Sequence, residues 1–166
     1  MRKRHHISNV IIATLLAVSI GVGLLIYGQS LKESPTQKAE LMREISQGSG
    51  LAGEEGVLTA ELRDVAGGDS VGAANLLRKD NTLTLEILAK MQDPEEGQFY
   101  EGWLVQKLPT TKLLSAGSLE KAEEGTYKLV HTANADYPTY NFVIVSIETI
   151  KDDIIETHIL EGSLVY

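Results

Sequence analysis

The stretch QFYEGWLVQK, residues 98–107, contains the only tryptophan of the chain. In an extended strand its odd-numbered residues share one face and its even-numbered residues share the other. Trp103 beside Val105 is typical of a core-facing pair, whereas Glu101 on the same face needs a partner or a place near the rim. Gly102 leaves room on the opposite face for a neighbouring strand. We therefore predict a core strand anchored by Trp103 rather than a ligand-binding platform.

The two-residue period extends from Val57 to the end of the chain, and no helical pattern interrupts it. Turn signals recur about every 10 residues, which is typical of an antiparallel sandwich or barrel. We predict an all-β domain over 57–166, an antiparallel Greek-key-like β-sandwich of about seven or eight strands. The turn DPEEG (93–97) predicts a hairpin between its two flanking strands. The candidate strands are 57–65, 70–78, 82–91, 99–106, 112–120, 126–132, 141–149 and 157–164.

The first thirty residues predict a membrane segment. Arg2, Lys3 and Arg4 precede an uncharged run whose apolar part, Val10 to Tyr27, would span about 27 Å as a helix. Basic residues before the run place the N-terminus in the cytoplasm. We predict a cytoplasmic tail (1–8), an uncleaved transmembrane signal-anchor helix (9–28) in the plasma membrane and an extracytoplasmic remainder. The alternative is a cleaved signal peptide, although the run is long for one and no A-x-A pattern follows it.

Residues 29–56 predict a stalk. Ser34 is a candidate N-cap and Pro35 a candidate first residue of a short juxtamembrane helix. The glycine-rich stretch GSGLAGEEG (48–56) ends that helix and predicts a flexible spacer. In the connection 151–156, Ile154 and Ile155 are expected to be tucked inward or to start the last strand.

Charge and cysteine content exclude several classes of function. After Arg4 the chain has 12 basic and 23 acidic side chains, a balance of −11. Such a surface repels phosphate backbones, so we expect no nucleic-acid partner. The absence of cysteine excludes disulfides, thiolate zinc sites and cysteine nucleophiles.

The outer domain offers little catalytic chemistry. Its only histidines are His131 and His158, which could bind zinc if the fold brought them together with Asp136 or Glu156. None of its strand serines, Ser115, Ser118 and Ser146, lies in a nucleophile elbow. Carboxylates such as Glu101 and Glu148 are too common in an acidic domain to indicate glycoside chemistry. We therefore predict no catalytic, cofactor-binding or metal-binding residues, no cofactor and no enzymatic activity.

Residues 97–120 resemble the extracytoplasmic C-terminal domain of the anti-sigma-K factors. That family has an aromatic-acid-x-Trp-Leu-Val strand, a polar turn, and a strand ending in alanine-glycine and a further hydrophobic residue. VIVSIE (143–148) is similar to its later strand of alternating valines ending in glutamate. The matching positions are Tyr100, Glu101, Trp103, Leu104, Val105, Ala116, Gly117 and Leu119.

The resemblance implies a sensing or interaction module and does not imply a direct role in transcription. Full anti-sigma-K factors carry a cytoplasmic sigma-binding domain before their membrane helix, and this chain has eight residues there. We expect a membrane-anchored, non-enzymatic envelope module whose partners are the membrane, through residues 9–28, and an envelope or signalling protein. The alternatives are a metal-binding protein or enzyme using His131 and His158, and a structural envelope component that oligomerises through strand edges.

Overall fold

The computed structural model describes residues 35–123 and 125–166. In this part of the chain, one helix precedes nine strands. The elements are α1 (Pro35–Gln47), β1 (Leu58–Asp64), β2 (Val71–Lys79), β3 (Thr82–Lys90), β4 (Phe99–Gln106), β5 (Lys112–Ser118), β6 (Glu120–Glu123), β7 (Thr126–Ala133), β8 (Phe142–Glu148) and β9 (Thr157–Ser163).

The strands form one antiparallel sheet in the order β5-β4-β8-β9-β1-β2-β3-β7-β6. The first and last strands in this order are consecutive in the chain, so the sheet is nearly closed on itself. The prediction of an all-β antiparallel fold is confirmed. We predicted a sandwich of two facing sheets with about seven or eight strands in all, whereas the described residues form a single sheet of nine strands. The additional strand is β6, which continues the predicted strand 112–120 beyond a bend at Gly117 (φ +107°) and pairs with β7.

Turn chemistry explains the local connections. Asp80 and Asn81 both have positive φ, as a two-residue turn of type I′ requires, and they join β2 to β3 in register. Gly97 has φ +85° in the DPEEG turn, a left-handed conformation that glycine adopts without strain. The predicted hairpin between β3 and β4 is wrong. β3 pairs with β2 and β7, and β4 pairs with β5 and β8, because the connection crosses to the other side of the nearly closed sheet.

The inner face of the sheet encloses the main core, with contributions from all the strands but β6. Leu83, Leu85 and Ile87 alternate with half-exposed residues along β3 and are fully buried. Gly102 lies on this inner face, where an added Cβ would be 2.6 Å from Leu129 Cδ2. The close approach explains the glycine and agrees with the predicted neighbour on that face.

Helix α1 packs on the outer face of β2 and β3. It begins at Pro35, as predicted, while the proposed cap Ser34 lies outside the described residues. Met42 and Ile45 are buried against Val71 and Ala73. Residues 37–56, which the sequence assigns to the stalk, therefore belong to the same compact unit as the strands, Gln37–Tyr166.

The predicted tail and membrane segment, residues 1–28, lie outside the described part of the chain. Within that part, no helix has both the length and the apolar character needed to cross a membrane.

Candidate functional site

Part of the outer face of β4 and β8 is apolar, whereas one face of an antiparallel sheet is commonly polar and solvated. Trp103 is paired with Ile144, and Val105 is paired with Phe142. All four side chains point away from the main core and form a second buried cluster, joined by Ile155. β8 is thus buried on both faces, which accounts for its nearly continuous run of hydrophobic residues.

Trp103 is a core residue of this outer cluster. Its side chain is 1% exposed, and its indole Nε1 donates a hydrogen bond to Ser146 Oγ at 2.8 Å. The burial confirms that Trp103 anchors the strand and does not present a surface platform. The core it anchors is the smaller outer one, because strand alternation directs Tyr100 and Leu104 to the inner core instead.

A segment that we call the strap, residues 149–156, folds back over this outer face. Its two ends are tied by carboxylates. Glu156 accepts hydrogen bonds from the Thr149 N–H at 2.9 Å and the Ile150 N–H at 3.0 Å. The bond from the Thr149 backbone is the main cause that lowers the pKa of Glu156 below its ordinary value. Glu148 in turn accepts from the Glu156 N–H at 3.2 Å.

The strap and the sheet together form a groove with a volume of about 670 Å³. This size lies within the usual range for small-molecule sites. Both isoleucines of the strap contribute: Ile155 is half-buried on the outer cluster, and Ile154 is 68% exposed at the rim. The apolar lining residues are Val105, Leu113, Phe142, Ile144, Ile154 and Ile155.

Charged side chains border the apolar floor. The Lys107 ammonium lies 3.1 Å from the centroid of the Phe142 ring, a cation–π contact. In the described part of the chain, no carboxylate forms an ion pair with Lys107. His158 Nδ1 contacts Glu161 Oε1, and Asp153 on the strap adds a second carboxylate. The groove therefore carries charges of both signs.

The structure does not bring His131 and His158 together. His131 is on β7 and His158 is on β9, and three strands separate β7 from β9 along the sheet. Nε2 of His131 is buried without a hydrogen-bond partner among the described residues, while the His158 side chain is 43% exposed. Over 35–123 and 125–166, no three His, Cys, Asp or Glu side chains are grouped so as to hold a metal ion.

Ser146, His158 and Glu161 lie next to one another in the sequence of neighbours that a serine–histidine–acid triad would have. Ser146 is the cross-strand partner of His158, whose Nδ1 contacts Glu161. Ser146 is fully buried, however, and its Oγ accepts the indole hydrogen bond of Trp103. A nucleophile needs access to substrate and a free approach to its base. The buried Ser146 lacks that access, and its hydroxyl is already engaged by Trp103.

Two carboxylates that the sequence could not distinguish from the many other acids of the chain are both buried on the outer face. Glu101 is 1% exposed and Glu148 is 0% exposed. They are diagonal neighbours, because Glu101 is paired with Ser146, two residues before Glu148. Ser115 Oγ donates to Glu101 Oε1, whereas Glu101 Oε2 has no partner among the described residues. The composition hid this pair, since only the register shows that both acids face the same layer.

No family model, curated protein or solved structure matches the chain.

Sequence reasoning did not identify Lys107, Asp153, Ile154 and Glu161 as members of one site. One signal was present: 142–145 is hydrophobic without alternation, which indicates a strand covered on both faces. The identity of the covering segment could not be read from that pattern, because the strap approaches through the tertiary fold.

Proposed function

We propose that the chain is a membrane-anchored extracytoplasmic binding module of the cell envelope, without enzymatic activity, that recognises its partner at the groove. The groove itself is the observation that carries this proposal. It combines an apolar floor with a few charged groups, which is the usual composition of a recognition site. Leu113 on β5 and Ile154 on the strap both line it and are exposed. Exposed apolar residues around a concavity are typical of interaction sites.

The resemblance to the outer domain of the anti-sigma-K factors belongs to the same proposal. Its motif residues lie on β4, β5 and the start of the link to β6, next to the groove. The proposal keeps the orientation expected from the sequence: a cytoplasmic tail (1–8), a plasma-membrane anchor (9–28) and an outer C-terminal domain. The Greek-key-like sandwich expected for that domain would correspond here to two opposed halves of the nearly closed sheet.

Site-specific crosslinking in the native membrane tests the proposal. A photoreactive amino acid at Ile154 in the full chain is expected to crosslink a partner, and one at Val130 is not. Val130 is a matched control because it is 52% exposed and apolar but lies on β7, away from the groove. Protease added outside intact cells should cleave the C-terminal domain and spare residues 1–8. Equal crosslinking from both positions, or a protected C-terminal domain, would contradict the proposal.

Two alternatives remain distinguishable by experiment. A metal-binding protein using His131 and His158 would lose its metal when both are changed to alanine. A structural envelope component would assemble through strand edges, and light scattering would show oligomers of the full chain. The separation of the two histidines and the pairing of β6 with β7 favour neither alternative.

A further inference from the structure

The positive and negative groups of the groove lie apart along its floor. Glu161 is paired with Ile144, which is paired with Trp103, and Lys107 follows Trp103 by four residues. Four residues of strand extend about 13 Å, and two strand spacings add about 10 Å across the sheet. The backbone positions of Lys107 and Glu161 are therefore on the order of 16 Å apart. The Lys107 ammonium, however, lies over the Phe142 ring, and Phe142 precedes Ile144, the partner of Glu161, by two residues. The two charges are therefore only about 8 Å apart.

We propose that the groove binds a short apolar peptide with free ends, its carboxylate at Lys107 and its amino group at Glu161 and Asp153. This inference rests on the proposed function, since it names the class of ligand taken by that site. Three extended residues span about 10 Å. A tripeptide is therefore long enough for its two ends to lie over Lys107 and Glu161 at the same time. Its side chains would meet Val105, Phe142 and Ile144 on the floor.

Charge complementarity selects this ligand over other apolar ones. A fatty acid would satisfy Lys107 and leave its chain beside the carboxylates of Asp153 and Glu161. A cationic amphiphile would place its charge against an acidic rim but leave Lys107 without a partner. A zwitterionic peptide is complementary to both ends, because like charges are kept apart and opposite charges are matched.

The test is calorimetric titration of the full-length chain in a mild detergent with three forms of trileucine. These are the peptide with free ends, its C-terminal amide and its N-acetyl derivative. The free peptide is expected to bind, and each capped form to bind more weakly, on the order of fivefold, as loss of one partly exposed ion pair predicts. Emission from Trp103 offers a second readout, because the single tryptophan packs directly beneath the groove.

Variants separate the two ends. Lys107→Gln should weaken the free peptide about fivefold and leave the amide unchanged. Glu161→Gln should weaken the free peptide and leave the acetylated form unchanged, and Asp153→Asn provides a second variant that does not touch His158. Lys112→Gln is the matched control, since Lys112 is an exposed lysine on β5 that does not line the groove. All variants are checked by urea unfolding.

The outcomes are distinct. Equal affinity for free and capped peptides, or a Lys107→Gln variant that weakens every form alike, would overturn the charge-matched peptide. No binding of trileucine to the wild-type chain would overturn it too. In either case Ile154-specific crosslinking would still support the binding module, and its absence would remove the proposed function as well.

Discussion

Substitution of Gly102 tests how tightly the nearly closed sheet is packed. Gly102 lies on the inner face of β4, and an added Cβ would be 2.6 Å from Leu129 Cδ2 and 2.8 Å from Ile87 Cδ1. Ordinary carbon contacts are about 3.5–4.0 Å, so both neighbours would have to move by about 1 Å. Ile87 is fully buried and Leu129 is 7% exposed, which leaves them little free space.

We expect Gly102→Ala to lower the free energy of unfolding by about 1–2 kcal/mol. Overpacking of this kind costs about 1–3 kcal/mol, and reduced freedom of the unfolded chain returns about 0.4–1 kcal/mol. Leu129→Ala alone should cost about 2–5 kcal/mol, through lost burial and the cavity left behind. In the double variant the new methyl group occupies part of that cavity. The combined loss should therefore be smaller than the sum, by about 0.5–3 kcal/mol.

Urea unfolding of the four proteins, followed by the emission of Trp103, measures this coupling. Gly162→Ala is the comparison, because its Cβ would be 2.4 Å from the Glu61 carbonyl oxygen. That clash is with the backbone and does not involve Leu129. Leu129→Ala should therefore not relieve it, and the two losses of stability should add. A Gly102→Ala variant as stable as the wild type, or additive losses with Leu129→Ala, would refute the packing of β4 against β7.

Four further expectations follow from other parts of the structure. Ile45→Ala should cost about 2–3 kcal/mol of unfolding free energy, because Ile45 is only 3% exposed and packs against β2. Arg43 is exposed on the same helix, so Arg43→Ala should cost less than about 0.5 kcal/mol. Equal losses in urea unfolding would show that α1 does not pack against the sheet. Burial acts to raise the pKa of Asp64, but hydrogen bonds from the Gly68, Ser70 and Ala66 N–H groups outweigh it and lower the pKa. The stability that Asp64 contributes is therefore present above its ordinary pKa and is lost as pH falls through the folded value. The difference in unfolding free energy between the wild type and Asp64→Asn should vanish in acid, and a difference that stays constant with pH would contradict the assignment. Burial and the hydrogen bond to Asp93 raise the pKa of Tyr127 to about 12. The stability that Tyr127 contributes is therefore complete below its ordinary pKa and is lost as pH rises through the folded value. At alkaline pH the stability of the wild type should fall more steeply than that of Tyr127→Phe, and parallel pH profiles would argue against this pKa shift. Glu101→Gln should leave stability unchanged or raise it by about 1 kcal/mol, because it exchanges a buried carboxylate, whose Oε2 has no partner among the described residues, for an uncharged amide of the same shape. A thermal melt in which Glu101→Gln is as damaging as Glu101→Ala would show that the charge itself is needed.

Local patterns were sufficient for the strands but not for their partners. Eight strands show in the sequence as alternation or as short apolar runs, and the structure has a strand at each place. β6 escaped because its four residues are all exposed and carry no periodic signal. The DPEEG turn has the residues of a hairpin, yet the chain crosses the sheet there, since β3 is already paired along its whole length with β2 and β7. Turn chemistry fixes backbone angles over a few residues, whereas strand order depends on which long-range pairs bury the most surface.

The candidate site was beyond local reasoning for the same cause. Lys107 follows β4, Glu161 lies on β9 and Ile154 belongs to the strap, so only the strand order brings them to one groove. The sequence presented Glu101 and Glu148 as two acids among many, and the register placed both in one buried layer. A residue type gives its chemistry, but its neighbours come from pairing between distant segments.

The outer cluster also explains why one tryptophan can define both the fold and the site. Trp103 is too large for the inner face of β4, where even one methyl group at Gly102 would be 2.6 Å from Leu129. The strand therefore places Trp103 on the outer face. That face must be covered, because an indole left in water would forfeit the stabilisation that its burial provides. Ile155 of the strap contributes to that cover, and the groove lies between the strap and the sheet. The close packing at Gly102 on the inner face and the groove on the outer face are thus two consequences of how β4 divides its side chains.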